Sequence, residues 1–264
     1  MKFLITSIGL ALGLYIAILI IIYFGQRRII YFPPHTYLSP SAVNVEMKEI
    51  KNEAGEIVSW WAPPKEETSK TVMVFHGNGS AIYSNHDIFR DLIEAGHGVL
   101  SVGYPGYPGR LGKPVQTEII AAAQAQYDWL LKQGIPENNI VFYGTSIGSG
   151  VAAQLSLTRE PVLLFMDAPF NSMSDMAKRA MKIVPVDLLM KDTFDSGHAL
   201  KGKNIPLIWT HGTKDNVVPL GQGQKLYDNY NGPKEAYIIQ GGEHTNLWAL
   251  GGREIVLEQL KQLN

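Results

Sequence analysis

The pattern that most restricts the fold of this chain is an alternation of short apolar runs with helical stretches over residues 71–262. The short runs are rich in β-forming residues and apolar at nearly every position. Such runs are typical of strands in a parallel sheet that is covered by helices on each side. The predicted strands are Thr71–Phe75, Gly98–Val102, Ile140–Tyr143, Val162–Met166, Pro206–Thr210 and Ala236–Ile239.

Two further predicted strands precede this alternation. Val43–Ile50 and Glu56–Ala62 flank the turn residues 52–55, a pattern that predicts an antiparallel hairpin. We therefore expect an α/β fold with a mostly parallel central sheet of about eight strands and an antiparallel start. The predicted helices lie near His86–Glu94, Val115–Gln133, Ile147–Thr158, Ser172–Ile183, Gly221–Tyr230 and Glu254–Gln262.

The N-terminus has a different composition. Phe3 to Gly25 is a run of 23 residues without a charge, and 18 of them are apolar. As a helix the run would reach roughly 35 Å, enough to cross a hydrocarbon core of about 30 Å. A cleaved signal peptide usually has an apolar region of about 7–15 residues and a small-x-small site, which residues 23–26 lack. We expect a transmembrane anchor over residues 1–28, with membrane contact through residues 3–25, and one domain over residues 29–264.

Charge and cysteine content exclude several classes of function. The formal net charge is −1, whereas binding to nucleic acid requires a basic face. The absence of cysteine rules out disulfides, thiol nucleophiles and Cys-ligated metals. Lys2 lies on one side of the apolar run and Arg27 and Arg28 on the other, too small a difference to assign the side of the membrane. The expected location is a membrane crossed once, a bacterial inner membrane.

A candidate nucleophile lies between a predicted strand and a predicted helix. Residues 144–148 match G-x-S-x-G, with Ser146 at the centre. Directly after a strand and before a helix, this motif forms a strained turn that raises the serine hydroxyl above the sheet. Glycine is expected at 144 and 148 because a side chain there would collide with the adjoining strand or helix.

A serine hydroxyl needs a base to accept its proton and an acid to orient that base. His244 follows the last predicted strand, and Asp215 follows the strand before it. We predict that His244 is the base and Asp215 the acid, with Asp192 and Asp195 as alternative acids. The other strand-end histidines, His76 and His211, are expected to organise loops.

A fourth predicted element is a site for the oxyanion. Residues 76–80 form a glycine-containing loop directly after the strand Thr71–Phe75. The backbone amide of Asn78 and that of Ile147, the residue after the nucleophile, are predicted to hold the developing negative charge. The loop lacks the glycine spacings of nucleotide-binding motifs.

The combination of residues 76–79, 144–148, 214–215 and 243–246 resembles the α/β-hydrolase superfamily. Within it, the chain looks like single-span membrane-anchored serine hydrolases related to protein depalmitoylases and bacterial lipid or carboxylic esterases. Residues 103–110 resemble the loop that follows the fourth strand in that group. By this resemblance Ser146, Asp215 and His244 form a catalytic triad, and Asn78 and Ile147 form the oxyanion hole.

Between the sixth and seventh strands, residues 168–204 leave room for one helix and a short cap rather than a large lid. The segment is rich in methionine and other apolar residues, which suits irregular acyl chains or a membrane interface; packing against the core explains it equally well. The prediction is a serine hydrolase that acts on lipid-like acyl esters or thioesters, without cofactor or metal. The alternatives are an aminopeptidase-like amide hydrolase and a non-catalytic anchored binding scaffold.

Overall fold

The computed structural model describes residues 2–263, and within them eight strands form one sheet. The strands are β1 (Lys48–Lys51), β2 (Ile57–Ala62), β3 (Thr71–Phe75), β4 (Gly98–Val102), β5 (Ile140–Thr145), β6 (Leu164–Asp167), β7 (Leu207–Gly212) and β8 (Lys234–Ile239). The α-helices are α1 (Lys2–Ile30), α2 (His86–Glu94), α3 (Gln116–Lys132), α4 (Ile147–Leu155), α5 (Met173–Ala180), α6 (Val186–Leu189), α7 (Ser196–Ala199), α8 (Leu220–Asn229) and α9 (Arg253–Gln262).

The sheet has the strand order β1-β2-β4-β3-β5-β6-β7-β8. Strand β2 is antiparallel to both of its neighbours, and every pair from β4 to β8 is parallel. The predicted sheet with an antiparallel start is therefore confirmed. Because parallel strands end at the same edge, the loops after β3, β5, β6, β7 and β8 gather at one side of the molecule.

Strand β3 shows why the chain folds into three layers. Val72 and Val74 face one buried cluster, while Met73 and Phe75 face another, so the strand is buried on both sides. Helices α3, α4 and α8 contribute to the cluster around Met73, and α2 and α9 contribute to the cluster around Val72. The apolar strands predicted from the sequence are thus covered by helices on both faces.

Helix α1 is 29 residues long, and its most apolar 18-residue window has a mean hydropathy of 2.6 with none of it buried. By length and composition it could cross a membrane, although a signal sequence can have the same length and apolar composition. The helix continues through Arg27 and Arg28, past the predicted anchor boundary at residue 28, and it ends at Ile30. Pro33 restricts the residue before it to extended conformations, so the helix ends just before the proline pair.

The predicted strand Val43–Ile50 is wrong in its first half. Residues Pro40–Val43 form a 3₁₀-helix, and β1 begins only at Lys48. Pro40 suits the first turn of a helix because its φ is already fixed near the helical value. Asn44 ends the turn in the left-handed region, with φ of 53°.

The segment between β6 and β7 differs in detail from the prediction. The helix expected over Ser172–Ile183 ends at Ala180, and α6 and α7 follow within the described residues where one helix was expected. The side chain of Ser172 accepts a hydrogen bond from the Asp175 N–H and caps α5. Pro185 prevents the helix from continuing because it lacks an N–H and disfavours a helical residue before it.

Candidate active site

Ser146 lies in the turn between β5 and α4, with φ of 54° and ψ of −120°. This backbone is unfavourable for a residue with a side chain, by about 1–3 kcal/mol, so the surrounding structure must hold it. The Ser146 N–H donates to the carbonyl of Asp167 at 2.8 Å, and the Ser149 hydroxyl donates to the carbonyl of Ser146 at 2.6 Å. The strained turn expected from the motif is present.

The two glycines of the motif allow α4 to pack directly against the sheet. A Cβ at Gly148 would overlap the carbonyl oxygen of Phe75, at the end of β3. A Cβ at Gly144 would overlap the carbonyl oxygen of Gly148. Any side chain at these positions would push α4 away from the strands and move Ser146 with it.

Asp215 and His244 are in direct contact. The Nδ1 atom of His244 lies 2.7 Å from Oδ2 of Asp215, and the other carboxylate oxygen accepts the N–H groups of Val217 and Val218 at 2.8 Å each. The His244 side chain is 15% exposed and that of Asp215 is fully buried. Two segments separated by 29 residues are therefore joined by a short hydrogen bond over the sheet edge.

The environment of Asp215 favours its ionised form. Burial by itself would raise its pKa, but the contacts of His211, His244 and Val218 with the carboxylate outweigh burial and hold the pKa well below its usual range. An ionised Asp215 accepts a hydrogen bond from the Nδ1–H group of His244, which leaves Nε2 of the neutral imidazole as an acceptor. That tautomer is the one a base for Ser146 requires.

His211 organises the loop that carries Asp215, as the sequence predicts. Its Nε2 lies 2.8 Å from the Val218 carbonyl and 3.4 Å from Oδ2 of Asp215, and its Nδ1 accepts from the Trp209 indole N–H at 3.1 Å. With Nδ1 as an acceptor, the ring proton is on Nε2. His211 therefore supports the acid rather than facing Ser146.

Ser146 lies at the same sheet edge as this pair. Its N–H binds the Asp167 carbonyl, and β6, which ends at Asp167, pairs with β7, the strand that leads to Asp215. Within residues 2–263, no hydrogen bond joins the Ser146 hydroxyl to His244. The structure thus brings Asp215 and His244 together and places Ser146 nearby without a direct contact to the imidazole.

The loop after β3 places Asn78 beside Ser146 and Ile147, and all three line one cavity. Ile147 is the first residue of α4, so its N–H has no acceptor within the helix. The Asn78 side chain donates to the Ile30 carbonyl and accepts from the Phe32 N–H at 2.9 Å. The loop is therefore tied to the chain segment that leaves α1.

Residues 103–110 support this loop from below. Tyr104 stacks on His76 with ring centroids 3.9 Å apart, and its hydroxyl donates to the His76 carbonyl at 3.2 Å. The Tyr107 hydroxyl donates to the side-chain oxygen of Asn78, also at 3.2 Å. Burial lowers the pKa of His76 to about 4, so the ring is neutral near pH 7.

The cavity in front of Ser146 has a volume of about 300 Å³. One wall comes from α1, and the opposite wall comes from the segment between β6 and β7. The α1 residues are Ile22, Gln26, Ile29 and Ile30, and the facing residues include Met173, Met176, Met181, Val184, Val186, Leu189 and Met190. Much of the methionine-rich cap therefore faces the cavity. Phe170 lines the cavity and also belongs to the core, whereas Phe194 belongs to the core alone.

Polar contacts join helix α1 to the cap. We call the region where residues 15–31 contact residues 183–192 the anchor–cap interface. The Tyr15 hydroxyl donates to the Ile183 carbonyl at 2.7 Å. Gln26 donates to the Leu189 carbonyl at 3.0 Å and accepts from the Lys191 N–H at 2.7 Å. These contacts hold the cavity-lining face of α1 against the cap.

Asp192 and Asp195, the alternative acids, are engaged elsewhere. Asp192 is buried in the anchor–cap interface, where it accepts from Arg27 at 3.0 Å and from the Tyr31 hydroxyl at 3.1 Å. Asp195 caps α7 by accepting the His198 N–H at 2.9 Å. Of the three acids considered, Asp215 is the one whose carboxylate contacts His244.

Comparison with known proteins agrees with this architecture. The esterase Pf2001 of Pyrococcus furiosus superposes with a TM-score of 0.68 at 21% identity, covering 88% of this chain and 98% of the esterase. The uncharacterized protein Rv2307c of Mycobacterium tuberculosis is 26% identical over 251 residues, 93% of this chain and 89% of that protein. The lysophosphatidylserine lipase ABHD12 of Rattus norvegicus is 26% identical over 198 residues, 67% of this chain and 50% of the lipase. No protein-family model matches the chain.

The chain has the α/β-hydrolase fold, and its sequence is similar to members of the α/β-hydrolase superfamily. The expected resemblance and the expected fold class are confirmed by the sheet topology together with these relatives. The roles of Ser146, Asp215, His244, Asn78 and Ile147 stay predictions. Among residues 2–263, no cluster of three or more His, Asp or Glu side chains is arranged to hold a metal ion.

The sequence did not reveal two features of the candidate active site. Asp167 ends β6 and is buried beneath the site, where it accepts from the Thr210 hydroxyl at 2.9 Å and the Tyr143 hydroxyl at 3.1 Å. Burial raises its pKa despite these hydrogen bonds, in contrast to Asp215. Its position directly after the predicted strand Val162–Met166 was a usable signal. No local signal marked the α1 residues as part of the cavity.

Proposed function

We propose that the chain is a membrane-anchored serine hydrolase that cleaves carboxylic acyl esters or thioesters. The observation that carries the proposal is the Asp215–His244 pair, held at the same sheet edge as the strained turn of Ser146. A buried acid, an oriented imidazole and a raised serine on separate strand-end loops follow the chain order Ser, Asp, His that is typical of this fold.

In the first half of the reaction, Ser146 Oγ attacks the carbonyl carbon of the substrate. Nε2 of His244 accepts the serine proton, and Asp215 stabilises the imidazolium. The backbone amides of Asn78 and Ile147 hold the oxyanion of the tetrahedral intermediate, and losing one such donor typically costs about 3 kcal/mol. His244 then returns the proton to the leaving alkoxide or thiolate, and the acyl group remains on Ser146.

In the second half, water replaces the leaving group. His244 takes a proton from the water as it attacks the acyl carbon, and the same two amides hold the second oxyanion. Collapse of that intermediate breaks the bond to Ser146, and His244 returns the proton to Oγ. Each turnover consumes one water and releases an alcohol or thiol and a carboxylic acid.

The cavity supports an acyl substrate. Its described lining contains no acidic side chain that could pair with a substrate amine, so esters are favoured over peptides with a free amino terminus. The names of two similar proteins, an esterase and a lysophosphatidylserine lipase, point in the same direction. The alternative, an amide hydrolase with the same triad, is decided by substrate comparison.

The proposed organisation is an anchor over residues 1–28 and a hydrolase domain over residues 29–264, with a cap within 168–204. The anchor–cap interface supports retention of α1, because cleavage after residue 25 would remove Tyr15 and Ile22 from the cap and the cavity. A membrane would cover the apolar side chains that α1 exposes.

A fluorophosphonate probe tests the nucleophile, since it reacts with activated serines. We expect the wild-type protein to be labelled, and Ser146→Ala to lose both the label and turnover of a short-chain ester, by about 10⁵-fold or more. Ser156→Ala is a matched control because Ser156 lies at the far end of α4, where its hydroxyl binds the Ala152 carbonyl.

Loss of labelling in both variants, equal labelling of Ser146→Ala and wild type, or no labelling of the wild type would contradict the proposal. Faster turnover of aminoacyl amides than of medium-chain acyl esters would instead favour the amide hydrolase.

A further inference from the structure

Helix α1 forms part of the cavity in front of Ser146. Ile22, Gln26, Ile29 and Ile30 are spaced as one face of a helix, and all four line the cavity in front of Ser146. The neighbouring Ile21 points elsewhere, with 70% of its surface exposed and no part in the cavity. One face of α1 therefore forms a wall of the substrate site.

The polar groups on this wall are already satisfied. The Gln26 side chain is hydrogen-bonded to the Leu189 carbonyl and the Lys191 N–H, and that of Asn78 to Ile30 and Phe32. Apart from the Ser146 hydroxyl and the backbone amides beside it, the described lining thus offers apolar surface. Met173, Met176, Met181 and Met190 supply flexible side chains on the facing wall. Such a cavity fits a hydrocarbon chain whose ester group lies at Ser146.

The length of α1 places this cavity relative to a membrane. About 20 residues of helix span the hydrocarbon core, whereas α1 has 29. If the span begins at the N-terminal end, residues 22–30 extend beyond the hydrocarbon, and these are the residues that include the cavity wall. The cavity then lies at the level of the lipid headgroups.

The cap extends further toward the bilayer. Ile183 contacts Tyr15, which is seven residues before Ile22, or about 10 Å along the helix. The side chains of Ile183 and Leu188 are 78% and 81% exposed, which is unfavourable in water but suits a protein segment that lies about 5–10 Å into a membrane. The rim of the cavity and the anchor would therefore enter the same leaflet.

We propose that the groove between α1 and the cap is an acyl-chain site that opens toward the bilayer, so that a membrane lipid ester enters it laterally while its ester group reaches Ser146. This inference rests on the proposed hydrolase function and on membrane insertion of α1, and it names the substrate as a lipid that resides in the same membrane. The anchor is then part of the specificity-determining surface.

The test uses the full chain reconstituted in phosphatidylcholine vesicles, with two 4-methylumbelliferyl esters that differ only in acyl length, palmitate and butyrate. Ile22→Trp narrows the groove from the anchor side, and Ile21→Trp is the matched control on the adjacent, outward-facing position. We expect Ile22→Trp to reduce kcat/KM for the palmitate by about tenfold or more. The loss for butyrate in that variant should be smaller, so that the palmitate-to-butyrate ratio falls, whereas turnover of both esters by Ile21→Trp should change by less than about threefold.

Equal palmitate-to-butyrate ratios in the two tryptophan variants would overturn the acyl-site proposal. A wild-type protein that hydrolyses neither ester and does not react with a fluorophosphonate would instead reject the hydrolase function. If Ile22→Trp no longer reacts with the fluorophosphonate, Ile22→Ala replaces it. This variant widens the groove and should change the palmitate-to-butyrate ratio from the wild-type value, and an unchanged ratio would overturn the proposal.

The depth of Ile183, at the rim of the cavity, can be tested separately by labelling a single introduced cysteine, because the chain itself contains none. Ile183→Cys and Asn138→Cys each provide one labelling site for an environment-sensitive fluorophore. Asn138 is exposed just before β5, at the opposite edge of the sheet. We expect a blue shift and quenching by brominated lipid at position 183 and neither at position 138. Equal, water-like spectra at both positions would show that the rim lies outside the membrane and contradict lateral entry.

Discussion

The cavity joins two regions that are built on different principles. On one side, the sheet edge presents Asp215, His244 and Ser146 from strand-end loops, in a setting of buried hydrogen bonds. On the other side, the anchor–cap interface presents aliphatic and methionine side chains, held in place by a few polar contacts such as Arg27 with Asp192.

The two regions meet different physical requirements. Catalytic groups need positions accurate to a fraction of an ångström, and a sheet supplies that accuracy because its strands are covered on both faces. An apolar chain is held without directional bonds, so a wall of flexible methionine and isoleucine side chains is sufficient. Under the proposed function, the sheet edge carries the chemistry, and the anchor and the cap select the substrate.

The largest expected effect is that of replacing Asp215, the buried aspartate at the sheet edge. Asp192 is the corresponding buried aspartate in the anchor–cap interface. In Asp215→Asn, an amide nitrogen that faces Nδ1 of His244 removes the orienting acceptor, and in either orientation of the amide the imidazolium loses its counter-charge. We expect kcat for a short-chain ester to fall by about 10⁴-fold, measured with 4-methylumbelliferyl butyrate. Fluorophosphonate labelling should slow in parallel.

A decrease in kcat of less than about tenfold would show that another carboxylate orients His244. The assignment of catalysis to the loop of Asp215 would then be wrong. Asp167, the buried carboxyl at the end of β6, would be the next residue to replace.

A second prediction concerns His76, beneath the sheet edge. Its pKa is lowered to about 4 by burial, against an ordinary value of 6.5, so the unfolded chain takes up a proton at this position before the folded one does. Stability therefore falls as the pH drops from 6.5 to 4, by about 3 kcal/mol from this group, and this contribution levels off below pH 4.

His76→Phe retains a ring that can stack on Tyr104 but removes the titration. We expect the decrease in unfolding free energy between pH 7 and pH 4 to be smaller in this variant, as measured by denaturant titration in detergent micelles. An identical decrease in both proteins would show that folding does not lower the pKa of His76.

The smallest expected effect lies at the anchor–cap interface. Asp192→Asn weakens the hydrogen bonds from Arg27 and Tyr31, and we expect the free energy of unfolding to decrease by about 2 kcal/mol. Butyrate turnover should stay within about threefold of the wild type, because Asp192 does not contact His244.

Asp192→Asn is therefore the matched control for Asp215→Asn. If it abolished turnover of the butyrate as Asp215→Asn does, the anchor–cap interface would belong to the catalytic machinery and the comparison between the two regions would collapse.

Most of the sheet edge could be predicted from the sequence. The strand β3 and the helix α2 have the predicted bounds, and the turn of Ser146 was recognisable from its glycines between a strand and a helix. These features depend on interactions between residues close in the chain, or on burial of a strand on both faces, and both leave a local pattern. The first half of Val43–Ile50 failed because Pro40 and Asn44 favour a helical turn over a strand.

By itself, the sequence determined that the chain would contain an apolar helix, a parallel sheet and a serine raised on a strained turn, because each of these is encoded by neighbouring residues. Only the tertiary structure decided that Asp215 rather than Asp192 contacts His244, and that one face of α1 lines the cavity. Both depend on contacts between residues that are far apart in the chain, such as Gln26 with Leu189. No local pattern records such contacts, because they arise only when the cap folds back onto the helix that precedes the domain.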